Sequence, residues 1–192
     1  RDSAPVGRGR RDGCGGAGWT NGEGPGGGRI WPSLTVLWLV AGVLTVSAGG
    51  PFTRLSDAVA RAHPGDTIVV TAGRYQEAAP VRIDKQLVIL GQGRPVIEGR
   101  GDHTILLVLA DGVEISGLGI ENVGSSNVED RAGIRIEAGR HCLIRDNEVR
   151  RTFFGIYGAK ADGCEVSGNR VEGANGSEQG GGNAIQFWSS RE

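Results

Sequence analysis

Beyond residue 66 the apolar positions fall into short alternating runs rather than helical stripes. In Ile134-Arg135-Ile136 apolar and polar side chains alternate, and Cys142 and Ile144 repeat the same spacing, the period of two expected of a strand with one buried face. The runs recur. Gly133 and Ile134 precede Gly155 and Ile156 by 22 residues, and the same offset carries Cys142 to Cys164, Ile144 to Val166, Asn147 to Asn169 and Val149 to Val171. Going back, an offset of 29 maps Ile134 to Ile105, Ile136 to Leu107, Ile144 to Ile115 and Val149 to Ile120; going forward, 29 maps Ile156 to Ile185. The surplus falls both times in polar Gly/Ser/Asn stretches, 124–130 and 173–183, which read as corner loops on a constant unit.

Short strands that return at a fixed interval, with no helix between them, stack on one another in parallel around a narrow apolar core. The pattern therefore predicts an all-β chain: the N-terminal part of a right-handed parallel β-helix (solenoid). Upstream, Leu55, Ala58, Val59 and Ala62 have helical spacing, with Thr53 or Ser56 able to cap the start and His63-Pro64-Gly65-Asp66 ending it. A short N-terminal capping helix there covers the open end of the first coil. Strands follow at 67–71, 81–83 and 87–90, with a turn at 73–75.

A leucine-rich repeat also fits a length of 22. The other half of the unit opposes it, because Thr152-Phe153-Phe154-Gly155-Ile156-Tyr157-Gly158 is aromatic, β-branched and punctuated by glycine. Charge gives a further check on register: at the 22-residue offset Arg140 falls over Asp162, Glu148 over Arg170 and Arg150 over Glu172. Asn147 and Asn169 fall at one corner as a structural ladder, with Leu118 at the corresponding earlier position.

The N-terminal third has a different character. An apolar stretch, 30–46, follows Arg29 and ends in Val46-Ser47-Ala48, a small-x-small pattern, so 29–48 reads as a secretory signal peptide cleaved before Gly49. The stretch is short for a span of about 20 residues, so the cleaved product is not expected to be an integral membrane protein. Residues 1–28, rich in Gly and Arg, read as a disordered or mistranslated leader, and 49–192 as the β-helix domain, incomplete at its C-terminus. The absence of Met, with Arg1 first, reads as a partial or mis-started chain.

Composition sharpens this picture at a few points. The 35 glycines follow no every-third-residue rule, which sets collagen aside and suits frequent tight turns. A net charge of −1, with no basic stripe interleaved with aromatics, argues against a nucleic-acid partner. His63, His103 and His141 lack ligand spacing; Cys142 and Cys164, inward and one rung apart, are the candidate soft-metal pair, against a reading as two small core residues. No catalytic set emerges, since Asp111, Glu129, Asp130 and Asp146 do not share a register that would cluster them. Arg135 over Tyr157 forms an outward pair, and with Gln186 and Trp188 it makes the candidate contact surface for a protein or a sugar.

The run Gly65-Asp66-Thr67-Ile68-Val69-Val70, followed by Gly73 and Tyr75, resembles the opening of carbohydrate-binding and sugar-hydrolase β-helices. Ala110-Asp111-Gly112-Val113, then Asp146-Asn147, Phe154-Gly155-Ile156-Tyr157 and Gly182-Asn183-Ala184-Ile185-Gln186-Phe187-Trp188-Ser189, in that order, resemble the NosD family of periplasmic β-helix factors for nitrous oxide reductase maturation. That family usually has His and Leu where this chain has Gln186 and Phe187. The resemblance implies a periplasmic, non-catalytic protein that works with ABC transporter subunits in building the reductase's copper centre. Copper enters only through the resemblance, since the residues themselves show no cofactor. The alternative is an extracytoplasmic polysaccharide-binding or polysaccharide lyase/epimerase-type β-helix.

Overall fold

In this chain the apolar alternation is resolved into three faces of one coil. The computed structural model describes residues 41–124, 126, 128–173 and 182–191. The first sheet stacks, in order, β1 (Val43–Val46), β2 (Thr67–Val70), β5 (Val88–Gly91), β8 (Glu114–Ser116), β11 (Leu143–Arg145) and β14 (Glu165–Ser167). The second stacks β3 (Arg74–Gln76), β6 (Val96–Glu98), β9 (Gly119–Gly124), β12 (Glu148–Thr152) and β15 (Arg170–Gly173). The third stacks β4 (Val81–Ile83), β7 (Leu106–Val108), β10 (Ala132–Glu137), β13 (Phe154–Ala159) and β16 (Ile185–Trp188). Every pairing is parallel, each strand bonding to its equivalent one turn away, which makes the fold a parallel β-helix.

Like side chains stand over like along the inside. Ile68, Ile89, Ile115 and Ile144 form one fully buried column, with Val166 next in register. Tyr75, Ile97, Ile120 and Val149 form a second, and Val81, Leu106, Ile134 and Ile156 a third. Fully burying each such aliphatic contributes about 1.5–3 kcal/mol, so the columns supply much of the cohesion along the coil. In the column of Ile83, Val108 and Ile136 the next position is Gly158, and there the Phe187 ring of the following rung takes the vacant space. A Cβ on Gly158 would lie 2.5 Å from that ring.

The 22-residue register holds at Ile134/Ile156, Ile144/Val166 and Val149/Val171, and the 29-residue register at Ile144/Ile115, Val149/Ile120 and Ile156/Ile185. One part of the expected register is corrected: Ile134 pairs with Leu106 and Ile136 with Val108, one residue on from Ile105 and Leu107. Residues 105–108 are all apolar, so alternation does not mark which of them face inward, and a one-residue slip exchanges the faces.

Two of the three expected charge pairs form, Glu148 with Arg170 at 3.8 Å and Arg150 with Glu172 at 4.0 Å. The third does not. Arg140 reaches back to Asp111 at 3.2 Å, while Asp162 accepts the Arg191 backbone N–H at 2.8 Å. Ala138 and His141 adopt left-handed backbone (φ 59° and 53°), so this stretch turns a corner and its side chains leave the ladder direction.

Among the described residues the one helix, α1 (Leu55–Arg61), carries the expected Leu55, Ala58 and Val59 with Ala62 as its C-cap, and it is capped at its start differently from expectation. Arg54 holds the N-cap position without a side-chain cap bond. The Glu77 carboxylate instead accepts from the Leu55 and Ser56 N–H groups at 2.8 and 3.2 Å, and Lys85 Nζ donates to the Val59 and Ala62 carbonyls at 3.2 and 3.3 Å. An anion at the N-terminus and a cation at the C-terminus both match the helix dipole. The residues of the first coil thus hold the helix that covers it.

The N-terminal edge of the coil also differs from expectation. Val43–Val46, inside the stretch read as the end of a signal peptide, is a strand paired with Thr67–Val70, and Val46 is fully buried. β-branched residues suit a strand as well as an apolar leader, so composition could not separate the two. The coil therefore begins ahead of the Gly49 boundary. Among the described residues no helix is long and apolar enough to cross a membrane.

Candidate functional site

The outer face of the third sheet collects the candidate contact residues. Register places Arg82, Leu107, Arg135, Tyr157 and Gln186 in one outward column, with Glu137, Ala159 and Trp188 in the next. The Arg135 guanidinium stands 5.3 Å from the centre of the Tyr157 ring and donates to the Asp130 carbonyl at 3.0 Å. Such a cation over an aromatic face is attractive and orients both groups. Tyr157 is only 8% exposed although it points outward, because Arg135, Phe154 and neighbouring loop residues close over it. Burial, followed by the nearby Asp130 charge, pushes its hydroxyl above the ordinary range. Gln186 accepts from the Asn183 amide at 2.7 Å, and Trp188 is 64% exposed. The expected loops 124–130 and 173–183 lie partly outside the described residues.

Beside this column a cleft of about 430 Å³ opens between the sheet and residues 102–104 and 129–131. In the sequence His103 stands as an isolated histidine. Its Nδ1 lies 2.6 Å from Asp102 Oδ1, and that hydrogen bond holds the Asp102 carboxyl below its usual range. Its Nε2 is buried with no hydrogen-bond partner among the described residues. Glu129 pairs with Arg131 at 3.1 Å and Glu137 with Arg135 at 3.7 Å. Each of these carboxylates faces a cation, so the cleft offers balanced donors and acceptors suited to a polar ligand rather than a free acid–base couple.

The two cysteines are placed together, but as packing. The Cys142 backbone N–H points at Cys164 Sγ at 3.3 Å, while the thiols themselves contact the Ala110 and Gly139 carbonyls at 3.5 and 3.4 Å. Burial pushes the Cys142 thiol up to about 12, which disfavours the thiolate that a metal requires. Among the described residues no group of three or more His, Cys, Asp or Glu is placed to hold a metal.

Asn147 and Asn169 occupy the same corner on successive rungs. Asn147 Nδ2 donates to Asn169 Oδ1 at 3.0 Å and to the Ile115 carbonyl at 3.0 Å, and its own Oδ1 accepts the Leu118 N–H at 3.1 Å. The amides therefore satisfy backbone groups at a turn where no ladder bond is available.

The second sheet carries a cluster that sequence reasoning missed. Glu98 and Glu121 are in register one rung apart, a like-charge pair that needs a cation. Arg74 supplies it, reaching Glu98 at 3.3 Å and Glu121 at 3.0 Å, and Arg151 reaches Glu121 at 2.7 Å. Arg151 arrives there through a bulge between Arg150 and Thr152, where its own φ is 51°. The bulge turns two successive arginines outward and returns Thr152 to the interior. The adjacent Glu98/Glu121 charges were the available sequence signal, but seeing it required the register of β6 and β9.

No family model matches the chain. The chain is similar to a Pseudomonas aeruginosa protein described as a probable ABC transporter binding protein NosD, with 29% identity over 144 residues, covering 68% of this chain. It spans about a third (33%) of that relative's length. Among solved structures, pectin methylesterase from Aspergillus niger in deglycosylated form matches with a TM-score of 0.41 and 12% identity, over 80% of this chain and 68% of that one. At that score the likeness carries no argument about activity.

Proposed function

We propose that this chain is part of an exported, non-catalytic β-helix accessory protein of NosD type. In this reading it engages an ABC transporter and supports assembly of the copper centre of nitrous oxide reductase in the periplasm. The supporting observation is the 144-residue similarity to the Pseudomonas aeruginosa protein, whose description names ABC transporter binding. That similarity agrees with the motif order from Ala110 to Ser189. The outward column of Arg135, Tyr157 and Gln186, with Trp188 beside it, is the surface assigned to the partner, because a large exposed aromatic next to an anchored arginine suits a protein contact.

The test is complementation in a denitrifying host lacking its own copy, with the full-length protein that carries this chain. Restored copper content and activity of the reductase, lost again in an Arg135→Ala/Trp188→Ala variant that still folds, are the expected results. A reductase that matures fully without the protein overturns the proposal. Cleavage or binding of uronate polymers by the purified protein, without association with any transporter subunit, transfers the case to the polysaccharide reading.

A further inference from the structure

Asp66 ends the turn after α1, and its side chain is only 7% exposed. One carboxylate oxygen accepts the His63 backbone N–H at 2.7 Å, and the other accepts the Gly42 backbone N–H at 2.6 Å. Among the described residues, the one cationic side chain within ion-pair distance is His63, whose Nδ1 is 3.7 Å away on a 73% exposed ring. A buried carboxylate without a firm counter-charge is costly. The backbone hydrogen bonds from His63 and Gly42 hold the Asp66 carboxyl below its usual range, so the group is set to be ionised.

Gly42 is shaped for this contact. A Cβ there would lie 3.1 Å from the carboxylate oxygen, and the Gly42 carbonyl is meanwhile fixed by the Thr67 N–H at 2.9 Å. The residue before it, Ala41, is small and exposed and lies within the apolar stretch 30–46 that follows Arg29. Cutting before Gly49 would instead remove all of β1. It would take Val46 from the core and strip the Thr67 and Thr71 N–H groups of their Gly42 and Val46 carbonyls.

We propose that leader processing falls between Ala41 and Gly42, and that the α-ammonium group created on Gly42 is received by the buried Asp66 carboxylate. The step is hydrolysis of one peptide bond by a leader peptidase of the export pathway. The Ala41–Gly42 C–N bond breaks, water's hydroxyl goes to the Ala41 carbonyl carbon, and the Gly42 nitrogen takes up protons to become an ammonium. The new terminus then supplies a firmer counter-charge than the exposed His63 ring, and it anchors the first rung of the coil at the moment the leader is lost. This inference rests on the export part of the proposed function.

The experiment is intact-mass measurement and N-terminal sequencing of the protein recovered from the periplasm, after expression of the full chain in a secretion-competent bacterial host. A terminus at Gly42 is expected; a terminus at Gly49, or at any other residue of an exported protein, overturns this inference alone. Retention of the whole chain in the cytoplasm overturns both it and the export reading. On the protein that begins at Gly42, labelling of the α-amine by an acylating reagent should run about tenfold slower when folded than when unfolded, because an ion pair raises the amine pKa by about one unit. Equal labelling rates would show that Asp66 does not receive the terminus.

Discussion

The first turn and the last described rung treat the same inward columns differently. At the N-terminal end, α1 is clamped by Glu77 and Lys85, β1 lies against β2, and Val81 and Ile83 of the first full turn are at most 1% exposed. In the last described rung the equivalent positions, Ile185 and Phe187, are 45% and 37% exposed. The residue type and the register are equivalent, and only the neighbour on the far side differs. In a stacked fold a side chain therefore draws its stability from the rungs above and below it, and a sealed end needs a separate element with its own polar fastenings.

Substitution in one column gives the largest test of that contrast. In a polypeptide of these 192 residues Ile156→Ala should cost about 2–5 kcal/mol, the range for a fully enclosed aliphatic, and Ile185→Ala less than half as much, whereas in a longer protein with a further rung stacked on β16 the two costs should converge. Urea unfolding of the two variants measures both, and equal losses would show that the last rung is as enclosed as the one before it. Next in size is the helix clamp. Glu77→Ala leaves the Leu55 and Ser56 N–H groups without their acceptor and should cost about 1–3 kcal/mol, with faster hydrogen exchange confined to the start of α1. Lys85→Ala should do less, since the last carbonyls of the helix can turn to water. If neither variant changes the melting temperature, packing alone seals that end.

The smallest expected effect concerns Glu121, which joins Arg74 in the first turn to Arg151 three rungs further along the same sheet. Burial alone would raise its carboxyl, but the hydrogen bonds and charges of Arg74 and Arg151 outweigh burial and hold it below its ordinary value of 4.5. A carboxyl depressed in the folded state contributes stability that is fully present above that ordinary value and is lost as pH falls through the folded one. Glu121→Gln should therefore be less stable than the parent at neutral pH, with the gap closing below about pH 4.5. Thermal unfolding followed from pH 7 to pH 3 reads this directly, and a gap independent of pH would assign the loss to packing.

Much of the architecture could be read before any coordinates. The recurrence of Ile134 at Ile156 and of Asn147 at Asn169 is visible in one dimension, because a coil with constant turns converts sequence offset into spatial neighbourhood. The candidate surface of Arg135, Tyr157, Gln186 and Trp188 followed from the same rule, since outward and inward positions alternate along a strand. The Asp102–His103 pair and the cleft beside it did not, because they lie at a corner where alternation stops.

What the chain alone determined was the repeat, its parallel stacking and the apolar composition of its columns, all consequences of a strict period of two within a near-constant turn. The tertiary structure alone decided the rest: which of Ile105, Leu106 and Leu107 face inward, that Val43–Val46 is a rung, and that Glu77 rather than Thr53 or Ser56 caps α1. It also decided that Glu121 collects arginines 47 residues before it and 30 residues after it. In uninterrupted apolar runs, at corners and across several turns, one-dimensional spacing carries no information about direction, and the choice falls to close packing and to the pairing of buried charge.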